Sequence, residues 1–484
     1  MPPVVSLASL PGPPAWPVVG NLPQLGMSSM HERLQAWAHV HGPAYRVRLG
    51  PRDALVVTRA GVIAGLLRDR PAGWSRLRSM QRAIQEIGGG GVFSAEGDDW
   101  RRQRKLVMAA FDPGHLKRYF VSLARVAQRL RGVLSAAATS GEPVDLQRVL
   151  MRFTVDVTAG LAFGIDVNTQ ENAENAVQAH LDKVFPMLMR RIFAPVPWWR
   201  YVRLPSDREF DRHLVALHAL VAGFIGDARE RMAREPTLRE HPSNLLEALI
   251  AARDDQGQPL SEQALVGNVL TVLLAGEDTT ANTLCWTLYL LHAHRACWQE
   301  LVAQVDAALE GTDVPLDFET ARQLSVAEEC VNEAMRLHPV APLLLLQCNG
   351  DTQVEGVHLP RGTVVICVMR AEAVDPRLAA DAAQFNPRRW RGAATAFPAH
   401  GDEGQRQLLK SSMPFGAGPR LCPGRYLAML EMKMVLATIA RNFELVEVRT
   451  PDGAPPRERL AFTMYPQGLQ MRLAHRGAGP GRHR

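Results

Sequence analysis

The fold of this chain is decided by a loop that reads Phe415-Gly416-Ala417-Gly418-Pro419-Arg420-Leu421-Cys422-Pro423-Gly424 and runs straight into an apolar helix. Gly416 and Gly418 can adopt backbone conformations closed to other residues, which lets the loop approach a flat ligand closely. Cys422 stands just before the helix, where the helix dipole and free N–H groups stabilise a thiolate. Pro423 suits the first helical position, and Arg420 can pair with an anionic group of the ligand. A lone cysteine in such a place is usually a small buried hydrophobe, but this order of residues favours a thiolate ligand.

The composition is that of a globular protein, with 46% hydrophobic and 21% charged residues in 484. The length leaves open whether the chain forms one large domain or two. Lys and Arg exceed Asp and Glu by 55 to 49, a mild excess without basic stripes between aromatic residues, so we expect no nucleic-acid binding. The six cysteines form no C-x-x-C pairs, which favours a reducing compartment without disulfides.

The pattern along the chain predicts a mainly α protein with a smaller β portion and no regular strand–helix alternation. We expect a proline-rich arm over 1–27, a single catalytic domain over 28–472 and a disordered tail over 473–484 that is rich in Gly, Pro and Arg. Residues 45–49 and 54–58 alternate around a Gly-Pro turn and predict a hairpin. No stretch of about 20 apolar residues and no signal-peptide pattern is present, so we expect a cytoplasmic protein without a membrane anchor.

A second motif, Ala275-Gly276-Glu277-Asp278-Thr279-Thr280, lies in the middle of an apolar helix expected from Ser261 to about His294. An acid and a hydroxyl at the centre of a buried helix are costly unless they have partners or a purpose. Thr279 can bond back to a carbonyl one turn earlier, and Gly276 permits local opening of the helix. Taken alone, the segment is more simply interpreted as a kink.

Together the two motifs resemble those of the cytochrome P450 superfamily, and the resemblance extends from the proline arm to about Met471. It implies a bacterial, soluble member with the P450 fold, in which haem b lies between the long central helix and the loop before the final helix. Cys422 would be the metal ligand, a thiolate whose electron donation favours O–O cleavage. Asp278 and Thr279 would be catalytic and deliver protons during dioxygen activation, with Thr280 as the weaker alternative. The implied haem contacts are Trp100, Arg104, Ala275, Phe415, Gly416, Arg420, Cys422 and Gly424.

Two further motifs gain meaning from the resemblance. Glu333 and Arg336 share a helical face, as many surface pairs do, but in the family such a pair joins a later arginine, here Arg389, in a buried structural triad that braces the cysteine loop. Trp100 and Arg104 also share a face and could donate to a haem propionate, although a solvated basic face is the alternative. Many relatives carry a further propionate arginine in the strand after the Glu-x-x-Arg helix. The corresponding stretch here, residues 343–348, contains no arginine, so haem retention would depend more on Arg420, Arg104 and Trp100.

The resemblance implies a haem-thiolate monooxygenase that inserts one oxygen atom from O2 into a lipophilic small molecule by hydroxylation or epoxidation. Electrons would come from NAD(P)H through a ferredoxin or flavodoxin-type carrier with its reductase. The expected docking face is basic and contains Arg102, Lys105, Arg425 and Lys433. A peroxygenase or isomerase without a redox partner, and a non-catalytic haem-binding sensor, stay as alternatives. The Asp278–Thr279 pair argues against the peroxygenase or isomerase.

The substrate pocket is expected to be apolar, which suits a fatty acyl chain, a terpenoid or a polyketide. Arg52 could meet a substrate carboxylate at the pocket mouth, although an exposed turn arginine is the more common role. The residues that the resemblance places around the substrate are Ile84, Ala275, Gly276, Val340, Leu343, Leu344 and Thr463.

Overall fold

The structure is a computed structural model that describes residues 4–111, 113–171, 176–192, 194, 197–392 and 403–477. Helices form most of this part of the chain, and strands form a smaller share, which confirms the expected fold class. The helices are α1 (Leu22–Leu25), α2 (Met30–His41), α3 (Ala60–Arg68), α4 (Arg78–Glu86), α5 (Gly97–Ala110), α6 (Pro113–Ser140), α7 (Leu146–Thr158), α8 (Ala176–Ile192), α9 (Pro205–Arg234), α10 (Leu245–Ala251), α11 (Glu262–Gly276), α12 (Asp278–Ala293), α13 (Arg295–Ala308), α14 (Phe318–Gln323), α15 (Ser325–Leu337), α16 (Glu403–Ser411) and α17 (Arg425–Asn442).

The strands are β1 (Val5–Ser6), β2 (Ala44–Leu49), β3 (Arg52–Val57), β4 (Trp74–Arg76), β5 (Val144–Asp145), β6 (Leu343–Cys348), β7 (Thr352–Val354), β8 (Val357–Leu359), β9 (Val364–Val368), β10 (Phe443–Arg449), β11 (Glu458–Leu460), β12 (Met464–Pro466) and β13 (Gln470–His475). The largest sheet has the order β2-β3-β9-β6-β4. Its β2–β3 pair is the hairpin expected from the alternating pattern. Strand β4 was not expected from the sequence, because three residues are too short to show an alternating pattern.

The main buried cluster of apolar side chains lies between α6, α7, α12, α13, α15 and α17. Helix α12 is buried almost all round, as an apolar helix in the centre of a core should be. The cysteine loop leads directly into α17, and the acid and hydroxyl motif opens α12. One rigid core therefore holds both motifs. None of the helices in the described ranges is both long and apolar enough to span a membrane.

The two ends of the chain are more firmly attached than the sequence indicates. In the N-terminal arm, β1 pairs in parallel with β8. At the other end, β13 runs antiparallel to β10 as far as His475, and Arg476 forms an ion pair with Asp306 at 2.7 Å. The expectation of a disordered tail from residue 473 is therefore wrong for 473–476, because these residues complete a sheet and an ion pair. Residues 478–484 lie outside the described part of the chain.

A largely buried carboxylate links three distant segments of the chain to its own strand. Glu458 accepts hydrogen bonds from His31 Nε2 at 2.9 Å and from His338 Nδ1 at 2.8 Å, and it also pairs with Arg370. Burial alone would raise the pKa of Glu458, but these hydrogen bonds and the charge of Arg370 hold that pKa far below its usual value. The ionised Glu458 carboxylate lies on β11. It thus connects β11 to α2, to the end of α15 and to the residues that follow β9.

Candidate active site

The cysteine loop has the shape that its glycines predict. Gly416 and Gly418 both take left-handed backbone conformations, with φ of 77° and 69°. A Cβ atom on Gly418 would lie 2.5 Å from the carbonyl oxygen of Leu67, so a side chain there would also collide with the end of α3. The N–H of Cys422 donates to the carbonyl oxygen of Phe415 at 3.0 Å and closes the loop. The sulfur is thereby fixed at the start of α17.

The surroundings of Cys422 supply groups that favour a thiolate. Burial raises the pKa of the Cys422 thiol above its usual value, and the N–H of Gly424 and the charges of Arg104 and Arg425 offset part of this rise. Helix α17 begins at Arg425 with Gly424 as its N-cap. The sequence had predicted Pro423 at the first helical position. In the structure Pro423 lies before the helix instead. The N–H of Gly424, the residue before the helix, donates to the sulfur of Cys422.

The central helix is interrupted at the acid and hydroxyl motif. The sequence predicts one helix, but α11 ends at Gly276 and α12 begins at Asp278. The Thr279 hydroxyl donates to the carbonyl oxygen of Ala275 at 2.8 Å, the expected bond to the previous turn. Ala275 is exposed although it lies within a largely buried helix, and Thr279, one turn later, is half-buried. These two residues thus form an accessible strip on one face of the broken helix.

Gly276 was predicted to line the substrate pocket, but in the structure it faces helix α7. A Cβ atom on Gly276 would lie 2.9 Å from the Thr158 hydroxyl of α7. The hydroxyl of Thr154, also on α7, donates to the carbonyl oxygen of Glu277 at 3.1 Å, which satisfies a group at the break. The small residue thus allows α7 to approach the break. This direction does not favour the predicted role of Gly276 in the pocket.

Asp278 is held by side chains from other elements. Its carboxylate accepts from Asn282 Nδ2 at 2.9 Å and from the Thr463 hydroxyl. Asn282 Nδ2 lies 3.0 Å from the Thr463 hydroxyl oxygen, and Gln147 Nε2 donates to Asn282 Oδ1 at 2.9 Å. Thr463 was predicted to line the pocket, but its side chain is buried and anchors Asp278. The sequence offered no signal for the contact of Asp278 with Thr463 or of Asn282 with Gln147, because only the fold brings these residues together. Asn282 stands one helical turn after Asp278, so its spacing was a signal that the prediction missed.

Arg420 lies among groups that suit an anionic ligand. Its guanidinium stands over the ring of Trp100 at 4.6 Å, donates to the carbonyl oxygen of Ala95 at 2.7 Å and pairs with Glu96. Its Nε and Nη1 are buried and donate to no acceptor among the residues that the structure describes. Buried donors without an acceptor are rare and unfavourable in free energy. A ligand carboxylate such as a haem propionate would supply the acceptor that these donors need. Arg104 instead donates to the carbonyl oxygen of Leu421 and thus contacts the cysteine loop.

The three residues of the expected structural triad are in contact and buried. Arg336 donates to both carboxylate oxygens of Glu333, at 2.8 and 2.7 Å, and Arg389 donates to the same carboxylate at 3.1 Å. Trp390 Nε1 and the backbone N–H of Asn386 also donate to it, each at 2.9 Å. Five donors therefore surround this fully buried carboxylate, so its hydrogen-bonding capacity is satisfied within the protein.

The predicted pocket residues do not all face one space. Ile84 on α4 packs against α8. Val340 lies after α15, and its carbonyl oxygen accepts from the N–H of Met464 at 2.8 Å. Leu343 and Leu344 pack against separate apolar clusters on the two sides of the sheet, because consecutive strand residues point to opposite faces. At most one of these two leucines can reach a pocket on a given side.

The expected basic docking face is smaller than predicted. Lys433 is buried and pairs with Glu328 at 2.6 Å, so its predicted place on a docking surface is wrong. The sequence could not show this, because a lysine stem on a helix can turn inward when a carboxylate receives it. Arg102 pairs with Asp254 at 2.6 Å, and Lys105 pairs with Asp255. Their positive charges are thus largely offset by a neighbouring acidic loop.

Comparison with known proteins agrees with this geometry. The family model for cytochrome P450 matches residues 10–473, and the chain belongs to the cytochrome P450 family. It is a cytochrome P450 monooxygenase, an oxidoreductase that uses haem and O2 with electrons from a reductase. Cyclooctatin synthase of Streptomyces melanosporofaciens is 30% identical over 92% of this chain and 93% of its own length. Pentalenene oxygenase of Streptomyces avermitilis is 29% identical over 96% and 97%. The cytochrome P450DA haem domain shares the fold, with a TM-score of 0.82 at 23% identity, over 97% of this chain and 98% of that chain.

Proposed function

We propose that this monooxygenase inserts oxygen into a cyclic terpenoid, by hydroxylation or epoxidation. The names of its relatives support this class, since pentalenene oxygenase, cyclooctatin synthase and a cyclooctat-9-en-7-ol 5-monooxygenase, 27% identical over 88% of the chain, are similar along nearly their whole lengths. Electrons from NAD(P)H would arrive through a ferredoxin or flavodoxin-type carrier in the cytoplasm.

The observation that carries the proposal is the arrangement of Asp278 and Thr279 at the helix break. A haem held by Cys422 would supply the redox chemistry that activates dioxygen for insertion of one oxygen atom. The Thr279 hydroxyl donates its hydrogen bond to the carbonyl oxygen of Ala275. Its own oxygen can therefore still accept a hydrogen bond. Asp278, anchored by Asn282 and Thr463, holds a carboxylate at the next position. The pair can thus receive a proton and pass it on.

The experiment compares Thr279→Ala with Thr287→Ala in the purified holoenzyme supplied with a surrogate reductase system. Thr287 makes the same bond to the previous turn, at 2.8 Å to Thr283, but lies two turns away. We expect Thr279→Ala to release more hydrogen peroxide and less product per NADPH consumed, because proton delivery is impaired, while Thr287→Ala resembles the unchanged enzyme. An unchanged peroxide yield in Thr279→Ala would contradict the proton-delivery role.

The same protein separates the alternative functions. Turnover with hydrogen peroxide alone, and none with the reductase system, would indicate a peroxygenase. Haem binding without turnover under either condition, across a panel of cyclic terpenes, would indicate a sensor. A panel that includes fatty acids and polyketides tests the substrate class, since we expect the iron spin shift on substrate binding to be strongest with cyclic terpenes.

We further propose that the electron carrier is acidic and docks around Arg425, which stands at the start of α17 beside the cysteine loop. Its guanidinium rests on the ring of Tyr426 at 4.3 Å, and the Tyr426 side chain is exposed. Reduction should slow as salt screens the charges, over a Debye length of about 10 Å at 0.1 M. Charge reversal by Arg425→Glu should slow it as well. Rates insensitive to both changes would rule out this docking site.

A further inference from the structure

Three arginine side chains from separate segments lie close together beside the cysteine loop. Arg70 follows α3 and is 5% exposed, Arg76 ends β4 and is half-buried, and the Arg420 side chain is 4% exposed. Burial lowers the pKa of Arg76 well below its usual value, and repulsion from Arg70 and Arg420 lowers it further. The three cations therefore share one poorly solvated region.

The described residues do not balance this charge. Glu96 is the one carboxylate in the described part of the chain whose charge acts on the pKa of all three arginines. Three positive charges against one negative charge leave a net charge of about +2 in a buried place, which is unfavourable without a further anion. A ligand with two negative charges would neutralise it.

The hydrogen-bond donors show the same imbalance. Nε and Nη2 of Arg70, like Nε and Nη1 of Arg420, are buried and meet no acceptor within the described ranges. Arg76 is held in place, since its Nε donates to the carbonyl oxygen of Phe93 at 2.6 Å and its guanidinium covers the Phe93 ring at 3.9 Å. The cluster thus presents fixed cations with free N–H groups, the arrangement that carboxylates bind best.

Strand pairing places Arg76 beside the strand, β6, in which the expected propionate arginine is missing. Strand β4 pairs antiparallel with β6, and Arg76 stands directly opposite Leu346. Strand β6 is where the family resemblance implies a propionate arginine. Side chains of directly opposed antiparallel residues lie on the same face of a sheet, about 5 Å apart at Cβ. Arg76 can therefore bring a guanidinium to the region that an arginine on β6 would serve.

We propose that Arg70, Arg76 and Arg420 together bind the two propionate groups of the haem, and that Arg76 on β4 replaces the arginine missing from β6. The two propionates match the net charge of the cluster and can accept from its free donors. Arg104 has a separate contact with the cysteine loop. The inference rests on haem as the cofactor, and it is independent of the proposed substrate and of the proton-delivery role.

The test measures haem release from holoenzyme variants Arg70→Gln and Arg76→Gln, with excess apomyoglobin to capture the haem. Arg82→Gln is the matched control, because it removes the same charge from an exposed residue of the neighbouring α4. Loss of a buried charge-assisted hydrogen bond should speed haem release roughly 10- to 100-fold. Arg82→Gln should release haem as slowly as the unchanged enzyme.

Resonance Raman spectra of the same holoproteins supply a second readout. The propionate bending bands respond to hydrogen bonding of the carboxylates, and they should shift in Arg70→Gln and Arg76→Gln but not in Arg82→Gln. Adding Leu346→Arg to Arg76→Gln should slow haem release again, because it returns the cation to the same face of the sheet. Neither measurement needs substrate or electron transfer. Haem release and the band positions can therefore be interpreted even if the proposed function is wrong.

Unchanged haem release, or unshifted propionate bands, in both glutamine variants would overturn the proposal. Lower thermal stability with unshifted bands would likewise assign these arginines to the protein structure alone. If the glutamine variants yield no holoprotein, Arg70→Lys and Arg76→Lys decide the question. Lysine keeps the charge but loses the forked geometry, so these variants should bind haem with shifted bands. Unshifted bands in the lysine variants would overturn the inference.

Discussion

Glu333→Gln should destabilise the protein far more than its small chemical change indicates. The buried Glu333 carboxylate faces five donors, from Arg336, Arg389, Trp390 and the Asn386 backbone, at distances of 2.7 to 3.1 Å. Glutamine keeps one oxygen but replaces the other with an N–H donor. Whichever way the amide turns, at least two donors then point at a donor, and the two buried guanidinium groups lose their shared negative charge.

The size of this effect follows from the contacts. Each buried donor left without an acceptor costs about 1–3 kcal/mol, and removal of one partner from a buried ion pair costs about 3–5 kcal/mol. We therefore expect Glu333→Gln to lower the free energy of unfolding by about 3–5 kcal/mol. A typical stability of about 5–15 kcal/mol makes this a large fraction of the total.

Urea unfolding followed by far-UV circular dichroism, at equal haem content, measures the effect. Glu300→Gln is the matched control, since Glu300 pairs with Arg388 and Arg391 in the same region but is 28% exposed. Exposed ion pairs contribute about 0–1 kcal/mol, so the control should unfold close to the unchanged protein. A difference between the two variants of less than about 1 kcal/mol would refute the claim that burial makes this carboxylate structurally important.

Three further predictions concern single contacts. Thr463→Val removes the hydroxyl that anchors Asp278, so peroxide release per NADPH should rise while haem content stays constant; an unchanged yield would exclude the anchoring role. Gly418→Ala should lower the thermal unfolding temperature and holoprotein yield, because its Cβ would lie 2.5 Å from a carbonyl oxygen, whereas Gly453→Ala, with a similar φ but open space, should cost only about 1 kcal/mol. Glu458 has a pKa far below its usual value in the folded protein, so its contribution is complete above the unfolded pKa of about 4.3 and is lost as pH falls below it. The stability difference between Glu458→Gln and the unchanged protein should therefore shrink in acid; a constant difference from pH 7 to pH 3 would contradict this assignment.

The parts of the site that could be predicted are those set by neighbours in sequence. Gly416 and Gly418 permit the left-handed backbone that this loop adopts, and Thr279 can reach Ala275 because one helical turn separates them. Glu333 and Arg336 share a helical face for the same reason. The contacts that prediction missed, such as Thr463 with Asp278 and Arg76 opposite Leu346, needed the fold to bring distant segments together.

The sequence also did not show which charged side chains are buried. Lys433 and Arg425 look alike as basic residues of one helix, yet Lys433 turns inward to Glu328 while Arg425 lies against an exposed tyrosine. The sequence by itself determined the thiolate loop, the bond from Thr279 to Ala275 and the family, because these depend on backbone conformation and short spacings. The tertiary structure alone decided which carboxylates are held by distant hydroxyls and which arginines share a buried region. Such contacts depend on how strands and helices pack, and their energies depend on how much water that packing excludes.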